Sequence, residues 1–254
     1  MKRGNIHLGG TARSAEDVKR LHKLGLQFAE IPITNPQKFS NLVKEYKDLK
    51  KKLGIYYLCH GPREGDPNEM GSLEEVYLPK ILEILPLMAA LDMSLLTLHL
   101  WFDARFVKEE VITFKVGLLR HIIQKATDSG ITVCLENLSE TASHMVVPFT
   151  QLPLLNLTLD LGHAQLLTEV NTSYGFIERY PERIRHVHLH DNRGGDSYQD
   201  DLHLLPGEGI VDFEKVFKRL RAMDYDRTIT LELTPSEIEK CLNQVKELLA
   251  RSGL

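Results

Sequence analysis

Cysteine is scarce in this chain. The three present, Cys59, Cys134 and Cys241, lie far apart and show no CxxC spacing. So few, in odd number, exclude a disulfide-stapled fold and fit a reducing, cytoplasmic setting. Long apolar runs are also missing: no stretch approaches the ~20 residues that span a bilayer. The opening MKRGNIHLGG has no apolar run of signal-peptide kind, so no membrane partner is expected. Nor is basic charge in excess, with 31 Lys and Arg against 35 Asp and Glu and a formal net charge of −4. No global basic surface can neutralise a phosphate backbone. That weakens a nucleic-acid partner without excluding one, because a local patch or bound cations could supply the charge. There is no Pro/Ser-rich linker, low-complexity tract or charge block. Residues 1–254 therefore read as one domain, and 43% hydrophobic residues leave enough for a sizeable core.

What does recur is a short β-branched run followed by a longer amphipathic one. The strand-like runs are 4–8 (GNIHL), 27–33, 55–60, 94–100, 131–136, 156–160, 183–190 and 228–233. Helices are expected at 14–24, at 72–91 with Ser72 as N-cap, and at 108–128, 212–223 and 235–250. The stretch 164–182 is short and polar for a packed helix. Eight strand–helix units in about 250 residues is the size of an α/β protein folded as a single (β/α)8 TIM barrel. The competing doubly wound sheet is disfavoured, since HLGGTARSAED carries no GxGxxG after the first strand.

The reactive side chains fall at strand ends. His60 closes the third run, His99 the fourth, Glu136 the fifth and Asp160 the sixth, with His163 three residues on. His188 and His190 close the seventh and Glu232 the eighth. In a parallel barrel all C-terminal strand ends open on one face, where active sites sit. Alternation places Ile184, His186, His188 and His190 on one face of the seventh strand, with Val187 and Leu189 toward the helices. Thr230 shares a parity with Glu232, and Cys134 with Glu136. The long loop 191–211 adds Asp201 and His203, two apart and able to turn toward one ion.

Imidazoles and carboxylates together suit zinc, manganese or iron(II). Four carboxylates converging without cations would repel one another and raise their pKa values. The candidate ligands are His60, His99, Glu136, Asp160, His163, His188, Asp201, His203 and Glu232. One zinc takes about four ligands. Either two or three ions gather here, or several of these residues bind substrate.

The motifs LCHGP, LTLHL, LENLSE, LDLGHA, HVHLHDN, DLHLLPGEG and LELTP run from the third strand to the eighth. Together they resemble the xylose-isomerase-like TIM-barrel superfamily, which includes sugar isomerases and epimerases and the endonuclease IV group of apurinic-site nucleases. On the isomerase side the resemblance implies a metal held by Glu136, Asp160, His188 and Glu232, with Glu136 and Glu232 also moving the proton beside the substrate carbonyl. On the nuclease side it implies three ions. One sits on His60, His99 and Glu136; one on Glu136, Asp160, His188 and Glu232; one on His163, Asp201 and His203. It thus implies one to three divalent ions, Zn2+ or Mn2+, and a sugar or sugar phosphate as substrate, and is compatible with a homodimer. The alternative is a zinc phosphodiesterase of the endonuclease IV type. Two departures weigh against that alternative: ITNPQKFS and GPREGDPNE are short, and HLHDNRGG stands where the nucleases resemble HLNDSK. One departure touches the epimerases. His190 stands where many have a substrate-holding Arg, and Arg193 is its candidate replacement. With His163, these form the expected substrate-binding set.

Plainer roles are expected elsewhere. His7 and His186 divide evenly between core and function. His22, His121 and His144 read as surface. Arg63, Glu64 and Trp101 line the pocket or the surface with equal weight. Gly207-Glu208-Gly209 reads as a structural turn into a helix capped by Asp212, and Cys59 points into strand–helix packing.

Overall fold

A computed structural model describes residues 6–254 as eight parallel strands closing on themselves in sequence order, β1 to β8. The strands are β1 His7–Thr11, β2 Phe28–Pro32, β3 Tyr56–His60, β4 Leu95–Leu98, β5 Thr132–Glu136, β6 Asn156–Asp160, β7 Ile184–Leu189 and β8 Thr228–Leu231. β1 pairs with both β2 and β8, which completes the (β/α)8 barrel. Long helices at Ala15–Lys23, Val43–Leu53, Leu78–Ala90, Glu109–Asp128, Phe213–Ala222 and Pro235–Ser252 surround it.

Two layers of packing follow from strand alternation. Facing outward, Ala29, Ile31, Tyr57, Cys59, Leu96, Leu98, Val133, Leu135, Leu157, Leu159, Val187, Leu189, Ile229 and Leu231 join the main hydrophobic core against the helices. Facing inward at the N-terminal end, Phe28, Leu58, Leu95 and Cys134 form a separate apolar plug. Above it, Thr97 and Thr158 share a hydrogen bond of 2.9 Å across the barrel. Apolar floor, hydroxyl layer and charged top thus stack along one axis.

The helix ends carry recognisable caps. Ser14 accepts from the Asp17 amide, and Thr234 with Glu237 makes a complete capping box. Asp212 accepts from the Lys215 amide, as the sequence predicts.

Four expectations need correction. The first strand runs over His7–Thr11 rather than 4–8, whose residues 4 and 5 lie outside the described part. Its two glycines are strand residues: a Cβ on Gly9 would meet the Phe28 ring within 2.5 Å, so glycine leaves room for the floor of the barrel. Ser72 caps nothing, because the backbone is already helical there and passes into a π-turn at Leu73–Tyr77. Ile184 faces the helices rather than the axis. The register slips between Leu157, which pairs with Ile184, and Thr158, which pairs with His186, so Arg185 is a bulge residue and the parity flips. Finally, the weak sixth unit does contain a packed helix, Ser173–Arg179, with Phe176 and Ile177 buried.

Candidate metal centre

The inward positions at the C-terminal strand ends bring His60, His99, Glu136, Asp160, His188 and Glu232 to one rim. Glu136 is their hub. Its Oε2 lies 2.7 Å from His99 Nε2 and 3.2 Å from His60 Nε2, while its Oε1 lies 3.1 Å from His188 Nδ1 and 3.3 Å from His163 Nδ1. His188 Nδ1 is also 3.3 Å from Glu232 Oε1, so one imidazole nitrogen stands between the two glutamates. Asp201 is a second hub, with Oδ2 3.2 Å from His163 Nε2 and 3.1 Å from His203 Nε2.

The loop that delivers Asp201 and His203 is tied down by Asp191. Its carboxylate accepts from the amides of Gly207, Gly209 and Val211 at 2.8–3.0 Å, and its backbone pairs with Leu204 in both directions. The Gly207–Gly209 turn is therefore the structural element it reads as. His203 has φ of 45°. A non-glycine residue there is strained, of order 1 kcal/mol or more, and such strain collects at functional sites.

His190 is fully buried, with Nε2 3.1 Å from Asp160 Oδ1 and its ring stacked on His203 at 3.9 Å. Gly162 makes this possible: a Cβ there would come within 2.2 Å of the His190 ring. The glycine of LDLGHA is a space requirement.

Histidines set the electrostatics. Burial pushes Glu136 up, but the charges of His99 and His188 and bonds from His163 and His188 bring it well below the usual carboxylate range. Asp160 and Asp201 are lowered for the same reason, against their own burial. At Glu136, Asp160 and Asp201 the rise expected of crowded carboxylates is reversed, because an imidazole stands beside each. Reciprocally, burial pushes His60 down, yet the Glu136 bond and charge raise it to about 9, and Asp201 and Glu232 raise His203 to about 9. His99 goes the other way, lowered by its burial.

The family profile described as xylose isomerase-like TIM barrel matches residues 18–251. The chain belongs to this family. It is 26% identical over 207 residues to an uncharacterised protein of Methanocaldococcus jannaschii, covering 75% of this chain and 68% of that one. Among solved structures it superposes on a D-tagatose 3-epimerase-like protein with a TM-score of 0.82 at 20% identity, covering 98% and 100% of the two chains. The IOLI protein with a bound zinc atom gives 0.81 at 14% identity over 97% and 99%. At such identities these two likenesses speak to the barrel alone.

The site offers donor atoms that fit a cation. Ligand atoms of His60, Glu136, His188 and Glu232 lie within 4.8 Å of one another, as do those of His163, His190, Asp201 and His203. Asp160 Oδ2 and Asp201 Oδ1 are buried without a hydrogen-bond partner among the described residues. Orphaned buried acceptors are costly unless something else satisfies them. His60 thus shares the Glu136 oxygen with His99 and also gathers with His188 and Glu232, while His190 stands with the outer group.

Other expected residues land elsewhere. Arg193 is exposed and donates from Nε to the Glu208 carbonyl at 3.2 Å. No ion pair or hydrogen bond links its side chain to the cluster among the described residues. Glu64 lies inside rather than on the surface, paired at 2.7 Å with the fully buried Lys115. Arg63 is exposed and Trp101 half-buried, with Nε1 donating to Ser139 Oγ.

One residue escaped the sequence reading. Glu30, on β2, is 1% exposed and contacts both His186 and His188. The available signal was a carboxylate inside the apolar run FAEIP, on the inward parity set by Phe28. His22 and His121 are exposed as expected, and His7 bonds Tyr56 at the barrel floor.

Proposed function

We propose that this chain is a divalent-metal isomerase or epimerase acting on a sugar or sugar phosphate. The observation that carries the reading is the placement of Glu136 and Glu232 on either side of His188 Nδ1, at 3.1 and 3.3 Å. His60, Glu136, Asp160, His188 and Glu232 would hold the ion, Zn2+ or Mn2+. When bound, the ion would polarise the carbonyl and neighbouring hydroxyl of the substrate. Glu136, kept charged by its histidines, would remove the proton beside the carbonyl, and Glu232 would return one from the other side of the enediolate. Positioned acid–base groups of this kind contribute about 10²- to 10⁴-fold. His163 and His190 would orient hydroxyls, and Arg193 would have to swing inward to meet a phosphate. The resemblance to an epimerase-like barrel and to a zinc-holding one supports the assignment. The test is proton exchange. Ketohexoses and their phosphates are incubated in D2O with the manganese-reconstituted chain, and deuterium entering the carbon beside the carbonyl is followed by NMR. Exchange that disappears in Glu232→Gln supports the reading; exchange unaffected by it refutes the assigned role.

A second reading, zinc-dependent phosphodiester hydrolysis, is favoured by the separate outer group at His163, Asp201 and His203. Incision of an abasic-site oligonucleotide by the zinc-loaded chain, without sugar exchange, would select it.

A further inference from the structure

Beneath the rim, Glu30 has Oε2 3.0 Å and Oε1 3.2 Å from His188 Nε2, and Oε2 3.2 Å from His186 Nε2. All three side chains are essentially closed to solvent. A carboxylate only accepts, so the His188 and His186 nitrogens facing it carry its hydrogens. His186 Nδ1 meets the Thr228 hydroxyl at 2.7 Å, and its Nε2 also lies 3.0 Å from the Thr230 hydroxyl. Each polar atom in this buried triangle therefore has a partner. With a hydrogen held on Nε2 by Glu30, Nδ1 is the His188 nitrogen that would give up its hydrogen and offer its lone pair to a cation. That is the nitrogen lying between Glu136 and Glu232.

We propose that Glu30, steadied by His186, is the positioning residue that locks His188 as the Nε2–H tautomer and aims its Nδ1 lone pair at a divalent cation. The inference rests on the metal reading above and deepens it. Glu30 touches no substrate. It acts through His188, as outer carboxylates act through ligating imidazoles, where their loss weakens metal binding about 10- to 100-fold.

The experiment compares wild type, Glu30→Gln and Glu30→Ala by zinc competition against a chromogenic chelator, with thermal unfolding to confirm folding. The His188 tautomer of the zinc-loaded wild type is read by imidazole nitrogen NMR. The expected result is a hydrogen on His188 Nε2 in wild type, and zinc dissociation constants about 10-fold or more weaker in both variants. Two outcomes overturn the role of Glu30: variant affinities within twofold of a zinc-binding wild type, or His188 bound through Nε2 with its hydrogen on Nδ1. A wild type that takes up no zinc overturns the metal reading and this inference with it. Should Glu30→Ala fail to fold, Glu30→Gln and the wild-type tautomer still decide.

Discussion

Glu136 Oε2 sits 2.7 Å from His99 Nε2, and the same oxygen is 3.2 Å from His60 Nε2. A single buried carboxylate thus links the ends of β3, β4 and β5, and through Oε1 reaches β7. Replacing it with glutamine keeps the shape but removes the charge that faces four imidazoles. Glu136→Gln should lower kcat/KM at least 10²-fold and lower metal content by at least one ion per chain, measured by elemental analysis after dialysis. Full metal content together with near-normal turnover would show that the hub is structural.

Asp201 makes a separable prediction. It bridges His163 and His203 at 3.2 and 3.1 Å, in a loop anchored independently by Asp191. Asp201→Asn should remove an outer ion and spare the one at Glu136. The expected stoichiometry falls by one in a chain that binds two or three ions. It stays unchanged in a chain that binds one, and in that case the outer histidines serve substrate hydroxyls. Metal counting on the two variants side by side distinguishes these arrangements.

Strand-end chemistry was legible in the sequence because parity and position suffice for it. His60, Glu136, Asp160, His188 and Glu232 needed only a parallel barrel and a period of two to reach one rim. Glu30 was not legible, because its meaning depends on a partner 158 residues away and no strand end marks it. The bulge at Arg185 was hidden for a related reason: nothing in IRHVHL announces a slipped register, and one extra residue reverses the face of Ile184. Gly162 could be seen as a glycine but not as the space for His190, since that contact joins two different strand ends. The π-turn at Leu73–Tyr77 likewise has no sequence mark, yet Tyr77 from that turn donates to the His99 carbonyl at 3.1 Å.

Lys115 and Glu64 supply a stability test away from the ion ligands. The pair is buried at 2.7 Å, and Lys115 Nζ also donates to the Trp101 carbonyl at 2.8 Å. Burial pushes Glu64 up and Lys115 down, against the pull of each on the other. Removing only the lysine strands a buried carboxylate, at a cost of about 3–5 kcal/mol. Lys115→Met should show that loss in urea unfolding. Adding Glu64→Gln removes the stranded charge and keeps an acceptor for the Trp101 amide, 2.7 Å away, so the double variant should recover more than half of it. A double variant as unstable as the single would mean that packing, rather than charge, dominates there.

Protons and metal ions compete for the same imidazoles, which fixes the sign of a pH effect. The carboxylate partners lift His60 and His203 to about 9 from an ordinary value of 6.5. In the metal-free chain these groups bind protons more tightly when folded than when unfolded. Their contribution to stability is therefore complete below about pH 6.5 and is lost as pH rises through about 9. A metal ligand must instead be the neutral imidazole, so cation affinity should increase over that same interval. Binding to the folded state alone raises the unfolding temperature in step with affinity. The Tm of the metal-free chain should thus decline from pH 6.5 to 9 while the increase produced by added manganese grows. Paired thermal scans with and without the ion measure both trends. A metal-induced increase that stays constant or shrinks toward pH 9 would mean that His60 and His203 do not exchange protons for the ion.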